Sequence, residues 1–319
     1  MTERQAGGTT MTARLWGMIL LLGLIWGGSF FFARVAVQHV PPLTLVFLRL
    51  SLAAVALHLY LRGRFGLYAA LAARWRPFLL LGLLNNALPH TLIFAGQTQI
   101  GAGLAAILNA TTPIWTVLIA QALTTDEKMN ANKIAGCLLG LVGTAVLVGP
   151  GVIGTGLGTV APWALLLPVA GAVSYGFAAI HARSFRDLPA PVTAAGQLTA
   201  STLIMLPAAL AFDQPWHLPV PEAGVIAAIL ALALVSTAYA YILFFRIVAG
   251  AGATNASLVT LLVPPSAILL GAVFLGERLE ALDGLGLALI LSGLAILDGR
   301  LLRRRRSKDW RSKGSGSKG

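Results

Sequence analysis

The chain has 319 residues, 57% of them hydrophobic and 11% charged, with a mean hydropathy of +0.82. That balance excludes a soluble globular domain and predicts an all-α integral membrane protein. The formal net charge of +12 does not imply a nucleic-acid partner, because its cations gather in short runs beside apolar segments, as membrane-flanking cytoplasmic loops do.

A bilayer core takes about 20 mostly apolar residues per helix, and ten such runs follow one another along the chain. The first half holds Leu15 to Val37, Leu43 to Leu61, Pro77 to Gly96, Ala102 to Leu123 and Ile134 to Val148. The second holds Trp163 to Ile180, Val192 to Phe212, Val225 to Val248, Ala253 to Leu275 and Leu282 to Leu302. Met1 to Thr12 is polar, and the first run is longer than the apolar core of a signal peptide, so it reads as a retained helix. Strands are not expected: open strands would leave backbone groups unpaired in lipid, and the alternation of a barrel is missing.

Arg62, Arg64, Arg74 and Arg76 follow the second run, Arg183 and Arg186 the sixth, Arg246 ends the eighth, and Arg303 to Arg306 follow the tenth. All fall on one side, which reads as the cytoplasm and places both termini there. The opposite loops, Gln38 to Pro42, Gly149 to Pro162 and Asp213 to Glu222, hold no Lys or Arg. The stretch 303–319 reads as a basic cytoplasmic tail that ends in a linker-like remnant.

The two halves, residues 1–150 and 160–302, repeat one another. With Pro113 set over Pro264, Gly101 falls over Gly252, Ala105 over Ala256 and Ile107 over Leu258. After a slip of one residue Glu127 meets Glu277, Gly136 meets Gly286 and Gly143 meets Gly293. Upstream, Leu92-Ile93-Phe94 falls over Leu243-Phe244-Phe245, and Ala33-Arg34 over Ala182-Arg183. A fixed-offset repeat sets the architecture before any local reading. Five spans per repeat is odd, so the second copy enters the membrane from the opposite side. Inverted repeats of this kind are a common transporter plan, with the substrate held between the halves.

A polar side chain inside a span is costly unless it meets a partner or a water-filled cavity. Asn86, His90 and Gln97 share one helical face of the third span; Asn109, Thr112 and Thr116 share one of the fourth. Ser236 and Tyr239 on the eighth span and Ser257 and Thr260 on the ninth are their counterparts. Trp26 and Ser29 on the first span, with Ser174, Tyr175 and His181 on the sixth, complete the set. Trp26, Ser29, Asn86, His90, Asn109, Thr112, Tyr175 and Tyr239 are the candidate substrate-binding residues, against a competing reading in which such groups only hydrogen-bond between helices. Arg49, within the second span, either meets a substrate carboxylate or reaches carbonyls and headgroups.

Pro113 and Pro264 occupy matched positions and suggest broken helices at a site or hinge, although a packing kink is the competing reading. The glycines of the fifth and tenth spans, Gly136, Gly140 and Gly143 with Gly284, Gly286 and Gly293, form small-residue seams for close packing or dimer contact. A monomer or weak homodimer is expected.

The eleven acidic residues all lie at span ends, in loops or in the tail, which disfavours a multidrug pump built on a buried carboxylate. His90 and His181 are then the titratable groups available for proton coupling. The single cysteine, Cys137, sits in an apolar run, so no disulfide or thiolate metal site is expected, and no cofactor is implied. HExxH and P-loop motifs are missing, and Ser174 and His181 stand about two turns apart on one helix, too far for a direct hydrogen bond. An enzyme is not expected. An aromatic and amide-lined cavity with little fixed charge suits a zwitterion or neutral metabolite.

The stretches LIWGGSFFFAR (Leu24 to Arg34) and PPLTLVFLR (Pro41 to Arg49), with repeats ending at Glu127 and at Gly276 to Arg278, resemble EamA-type members of the drug/metabolite transporter superfamily. The resemblance runs from Leu15 to Leu302. It implies ten helices in two inverted repeats, a bacterial cytoplasmic-membrane location, export of small metabolites, and a cavity lined by spans 1, 3, 4, 6, 8 and 9. Within the superfamily the nearest likeness is to amino-acid exporters, including those for neutral and aromatic amino acids. Efflux of drugs or other neutral metabolites is the alternative, and a membrane scaffold without transport is the alternative of another class.

Overall fold

A computed structural model of the chain describes residues 12–125, 131–153, 161–266 and 281–298. The expectations on Glu127, on Gly276 to Arg278, on the Arg303 cluster and tail, and on the far ends of the ninth and tenth spans lie outside those residues. The described residues hold no strand. The spans are α1 (Ala13–Val37), α2 (Pro42–Leu61), α3 (Trp75–Gln97), α4 (Leu104–Leu123), α5 (Ala131–Ile153), α6 (Pro162–Phe185), α7 (Ala190–Asp213), α8 (Ala223–Ala251), α9 (253–266) and α10 (Ala281–Asp298). A short helix, Leu67–Ala73, joins α2 to α3. Seven of these, α1 to α4 and α6 to α8, are long and apolar enough to cross a membrane, while α5 and α10 carry shorter apolar stretches, Ala131–Val146 and Gly284–Leu294.

The helix ends follow local chemistry. Thr12 caps α1 by accepting from the Leu15 amide at 3.3 Å, as an N-cap hydroxyl should. Prolines open α2, α6 and α7, where their missing N–H has no helical partner to lose. Arg62 (φ 46°) and Gly63 (φ 73°) turn the chain out of α2 in left-handed conformations. Gly252, at φ 87°, makes the corner between α8 and α9, a conformation that only glycine takes at no steric cost.

The packing is symmetric under exchange of halves. α3 lies against α6, and its counterpart α8 lies against α1; α3 meets α7 as α8 meets α2. α2 pairs with α7, α4 with α9 and α5 with α10. The α5–α10 pair is joined backbone to backbone. A Cβ added at Gly143 would stand 2.8 Å from the Gly286 carbonyl oxygen, and one at Gly293 would stand 2.6 Å from that of Gly136. These are the same contact read from either repeat, so the glycine seam is used within the chain.

α3 and α8 each contain one π turn, at Leu83–Ala87 and Leu234–Tyr239. The pairing of Leu92 with Leu243 puts these turns in register. A π turn inserts an extra residue into the i→i+4 ladder and is frequent at functional sites. Side chains from other helices take up the carbonyls there. Ser174 on α6 donates to the Leu84 oxygen at 2.7 Å, and Tyr241 on α8 donates to that of Asn85 at 3.0 Å. On the other turn, the Ser236 oxygen accepts from Trp26 Nε1 at 3.2 Å and from an Arg49 terminal nitrogen at 3.3 Å.

Candidate functional site

The space between the halves is a cavity of ≈ 70 Å³, room for about five waters at the ~10–15 Å³ each requires. α1 contributes Trp26, Ser29 and Phe30; α3 contributes Asn85, His90, Phe94 and Gln97; α4 contributes Asn109 and Thr112. Tyr175 comes from α6, Tyr241 and Phe244 from α8, and Ser257 and Thr260 from α9. Those are the six spans expected to line it. Arg49 from α2 completes the wall.

Six of the eight candidates therefore converge: Trp26, Ser29, His90, Asn109, Thr112 and Tyr175. Asn86 and Tyr239 do not line the cavity. Asn86 is 0% exposed and donates to Ser201 Oγ on α7 at 2.8 Å, while its neighbour Asn85 faces the cavity. Tyr239 is 47% exposed on the outer face, and Tyr241, 2% exposed, stands inside. Both differences have one physical cause. The π turns rotate the helix face relative to a regular 3.6-residue repeat, so an extrapolated stripe lands on the wrong residue. Extending the pairing of Leu92 with Leu243 by two positions places Tyr241 over His90, and that register was the available signal.

Aromatic rings form two clusters on the walls. Trp26 contacts Tyr241 edge-on at 6.2 Å and Phe244 at 5.8 Å between centroids. His90 stacks on Phe94 at 6.0 Å and meets Tyr175 edge-on at 6.3 Å. The hydroxyls are mostly satisfied within their own helices. Ser29 donates to the Trp26 carbonyl at 2.7 Å, and Thr260 to that of Ser257 at 2.8 Å. Thr112 donates to the Asn109 oxygen at 2.6 Å, replacing the N–H that Pro113, four residues on, cannot supply. α4 breaks at Ala110 and Thr111, between two cavity residues.

The amides are different. Gln97 Nε2 donates to the Phe30 carbonyl at 3.3 Å, but Gln97 Oε1, Asn109 Oδ1 and His90 Nδ1 are buried without a hydrogen-bond partner. Such groups are exceptions in a folded protein and call for a ligand or ordered water. Among the described residues no carboxylate lines the cavity, and no cluster of His, Cys, Asp or Glu could hold a metal.

His181 and Ser174 lie outside the cavity wall. His181 Nε2 donates to the Pro77 carbonyl at 3.1 Å, and Ser174 is taken up by α3. Each fastens α6 to α3, and they form no nucleophile–base pair. At the Arg-rich end, Arg74 forms a bidentate pair with Asp187, with one arm at 2.8 Å. Hydrogen bonding to Asp187 raises the Arg74 pKa, and the same contact lowers that of Asp187.

A polar and aromatic chamber between two inverted helical repeats is the plan of a small-molecule membrane transporter. The chain belongs to the EamA-like transporter family, whose model matches residues 15–149 and 162–297. It is similar to an uncharacterized inner membrane transporter of Escherichia coli, YedA, with 27% identity over 290 residues, 89% of this chain and 90% of that protein. A probable terminal-alkyne amino-acid exporter of Streptantibioticus cattleyicolor shares 28% identity over 300 residues, 93% of this chain and 97% of that protein. One solved crystal structure superposes with TM-score 0.68 at 22% identity, over 92% of this chain and 98% of the other. The protein is accordingly a multi-pass transporter of the bacterial inner membrane, with ten helices in two inverted repeats.

Proposed function

We propose that the protein exports small metabolites from the cytoplasm by alternating access, with neutral or aromatic amino acids as its substrates and the chamber as their binding site. The observation that carries this reading is the lining itself: aromatic faces beside unpaired amide oxygens, with no carboxylate among the described residues to select organic cations. Aromatic faces and carbonyl-type acceptors hold an ammonium group, while the ring-lined walls accept an apolar side chain. The likeness to a protein named as a probable amino-acid exporter supports the same class. Residues 1–150 and 160–302 act as the two moving halves, the Arg-rich end faces the cytoplasm with both termini, and the internal α5–α10 seam favours a monomer.

The test is release of preloaded radiolabelled amino acids from proteoliposomes, with and without an imposed pH gradient. Release of neutral or aromatic amino acids is the expected result. Dependence on the gradient would make His90 and His181 the first proton-site candidates, with His90 alone lining the chamber; independence would make the carrier facilitative. Absence of release for every amino acid would refute the substrate class and shift it to other neutral metabolites or drugs.

A further inference from the structure

Arg49 is 5% exposed in the middle of α2 and, among the described residues, is the only Lys or Arg that lines the chamber. Its Nε donates to Thr237 Oγ1 at 2.6 Å and one terminal nitrogen donates to the Ser236 carbonyl at 3.3 Å. A guanidinium has five N–H donors, so most of its hydrogen-bonding capacity is left for the chamber. Its carbon lies 5.7 Å from the centroid of the Phe94 ring, a chamber wall. The sole ion pair among the described residues is Arg74–Asp187, so Arg49 has no carboxylate partner among them. A cation buried among apolar helices without a counter-charge is strongly disfavoured. A ligand that enters with its own anion removes that penalty.

The other end of such a ligand is also provided for. Asn109 Oδ1, Gln97 Oε1 and His90 Nδ1 have no hydrogen-bond partner, and their residues line the same space as Arg49. One cationic donor and two orphan amide oxygens in a single chamber match a zwitterion.

The geometry points to Arg49 as the anchor for a substrate carboxylate, with the ammonium group held by the orphan acceptors of α3 and α4. This rests on the amino-acid reading above and deepens it. The carboxylate becomes obligatory, because an amide in its place leaves the guanidinium uncompensated. Arg49 and its contacts with Ser236 and Thr237 also connect the bound carboxylate to the π turn of α8.

Binding of alanine and phenylalanine, their amides, and their des-amino acids (propanoate and 3-phenylpropanoate) is measured by ligand-induced thermal shift on the detergent-purified full chain. The wild type is expected to prefer acid over amide by on the order of 100-fold, as for loss of one partner of a buried charge pair. Arg49→Gln should bring that ratio close to one, and Arg49→Lys should retain part of it. A residue that only braces α8 would weaken acid and amide equally. Asn109→Leu should weaken the amino acids and spare the des-amino acids.

Equal binding of acid and amide by the wild type overturns the anchor and leaves amino-acid export standing. Des-amino acids bound through Arg49, with amino acids ignored, keep the anchor and refute the amino-acid reading. Failure of every carboxylate to bind overturns both.

Discussion

Substituting Gly293 by Ala adds one carbon atom where, among the described glycines, an added Cβ would come nearest to another helix's backbone. Its Cβ would stand 2.6 Å from the Gly136 carbonyl oxygen and 2.8 Å from the Gly140 nitrogen, where ordinary contact begins at 3.4 Å. The shortfall of 0.8 Å is against backbone, which no rotamer change can relieve, so α5 and α10 must separate along their seam. Overpacking of this kind costs about 1–3 kcal/mol, which outweighs the roughly 0.5–1 kcal/mol that Ala gains over Gly in a helix. Gly284 on the same helix has nothing within 4 Å of its added Cβ, and Gly284→Ala keeps the propensity gain alone. Thermal unfolding of the purified protein in detergent should show a midpoint several degrees lower for Gly293→Ala, with Gly284→Ala unchanged or higher. Equal midpoints for Gly293→Ala and wild type would refute the intramolecular seam.

Two further outcomes follow from other contacts. Tyr241→Phe removes the donor to the Asn85 carbonyl of the α3 π turn and should cost about 1–3 kcal/mol as an unsatisfied buried acceptor, whereas Tyr239→Phe on the outer face should leave the unfolding midpoint unchanged. Asp187, held below the usual carboxylate range by Arg74, contributes stability that is present above its unfolded-state pKa of about 3.9 and lost as pH falls through its lower folded value. The difference in midpoint between wild type and Asp187→Asn should therefore be present at neutral pH and shrink on acidification below that range.

The architecture was legible because lipid leaves few choices. Ten apolar runs must be helices, and matched residues such as Pro113 with Pro264 and Gly143 with Gly293 expose the duplication without any structural information. The chamber was only partly legible. Trp26, Ser29, His90 and Tyr175 converge from helical turns, where polar spacing reports the inward face, and Asn109 and Thr112 converge because they flank the break of α4 at Ala110 and Thr111. Asn86 and Tyr239 fall on or beside π turns, and nothing in LLNNA (Leu83–Ala87) or LVSTAY (Leu234–Tyr239) announces an extra residue in the turn. The repeat register could have supplied Tyr241 through His90. Arg49 was visible as a cation within a span, but its neighbours Ser236 and Thr237 are nearly 190 residues away in sequence, and only the packing of α2 on α8 brings them together.

The central claim is that the chamber between the halves is the site through which substrate crosses the membrane. Counterflow tests it most directly: proteoliposomes loaded with unlabelled phenylalanine are diluted into a trace of the labelled amino acid. The wild type should accumulate label transiently above equilibrium. His90→Ala and Asn109→Ala, folded and monodisperse, should lose that overshoot, and Tyr239→Ala on the lipid-facing side should keep it. An overshoot of the same size in all three variants would contradict the assignment of the chamber, and its absence in the wild type would contradict phenylalanine exchange itself.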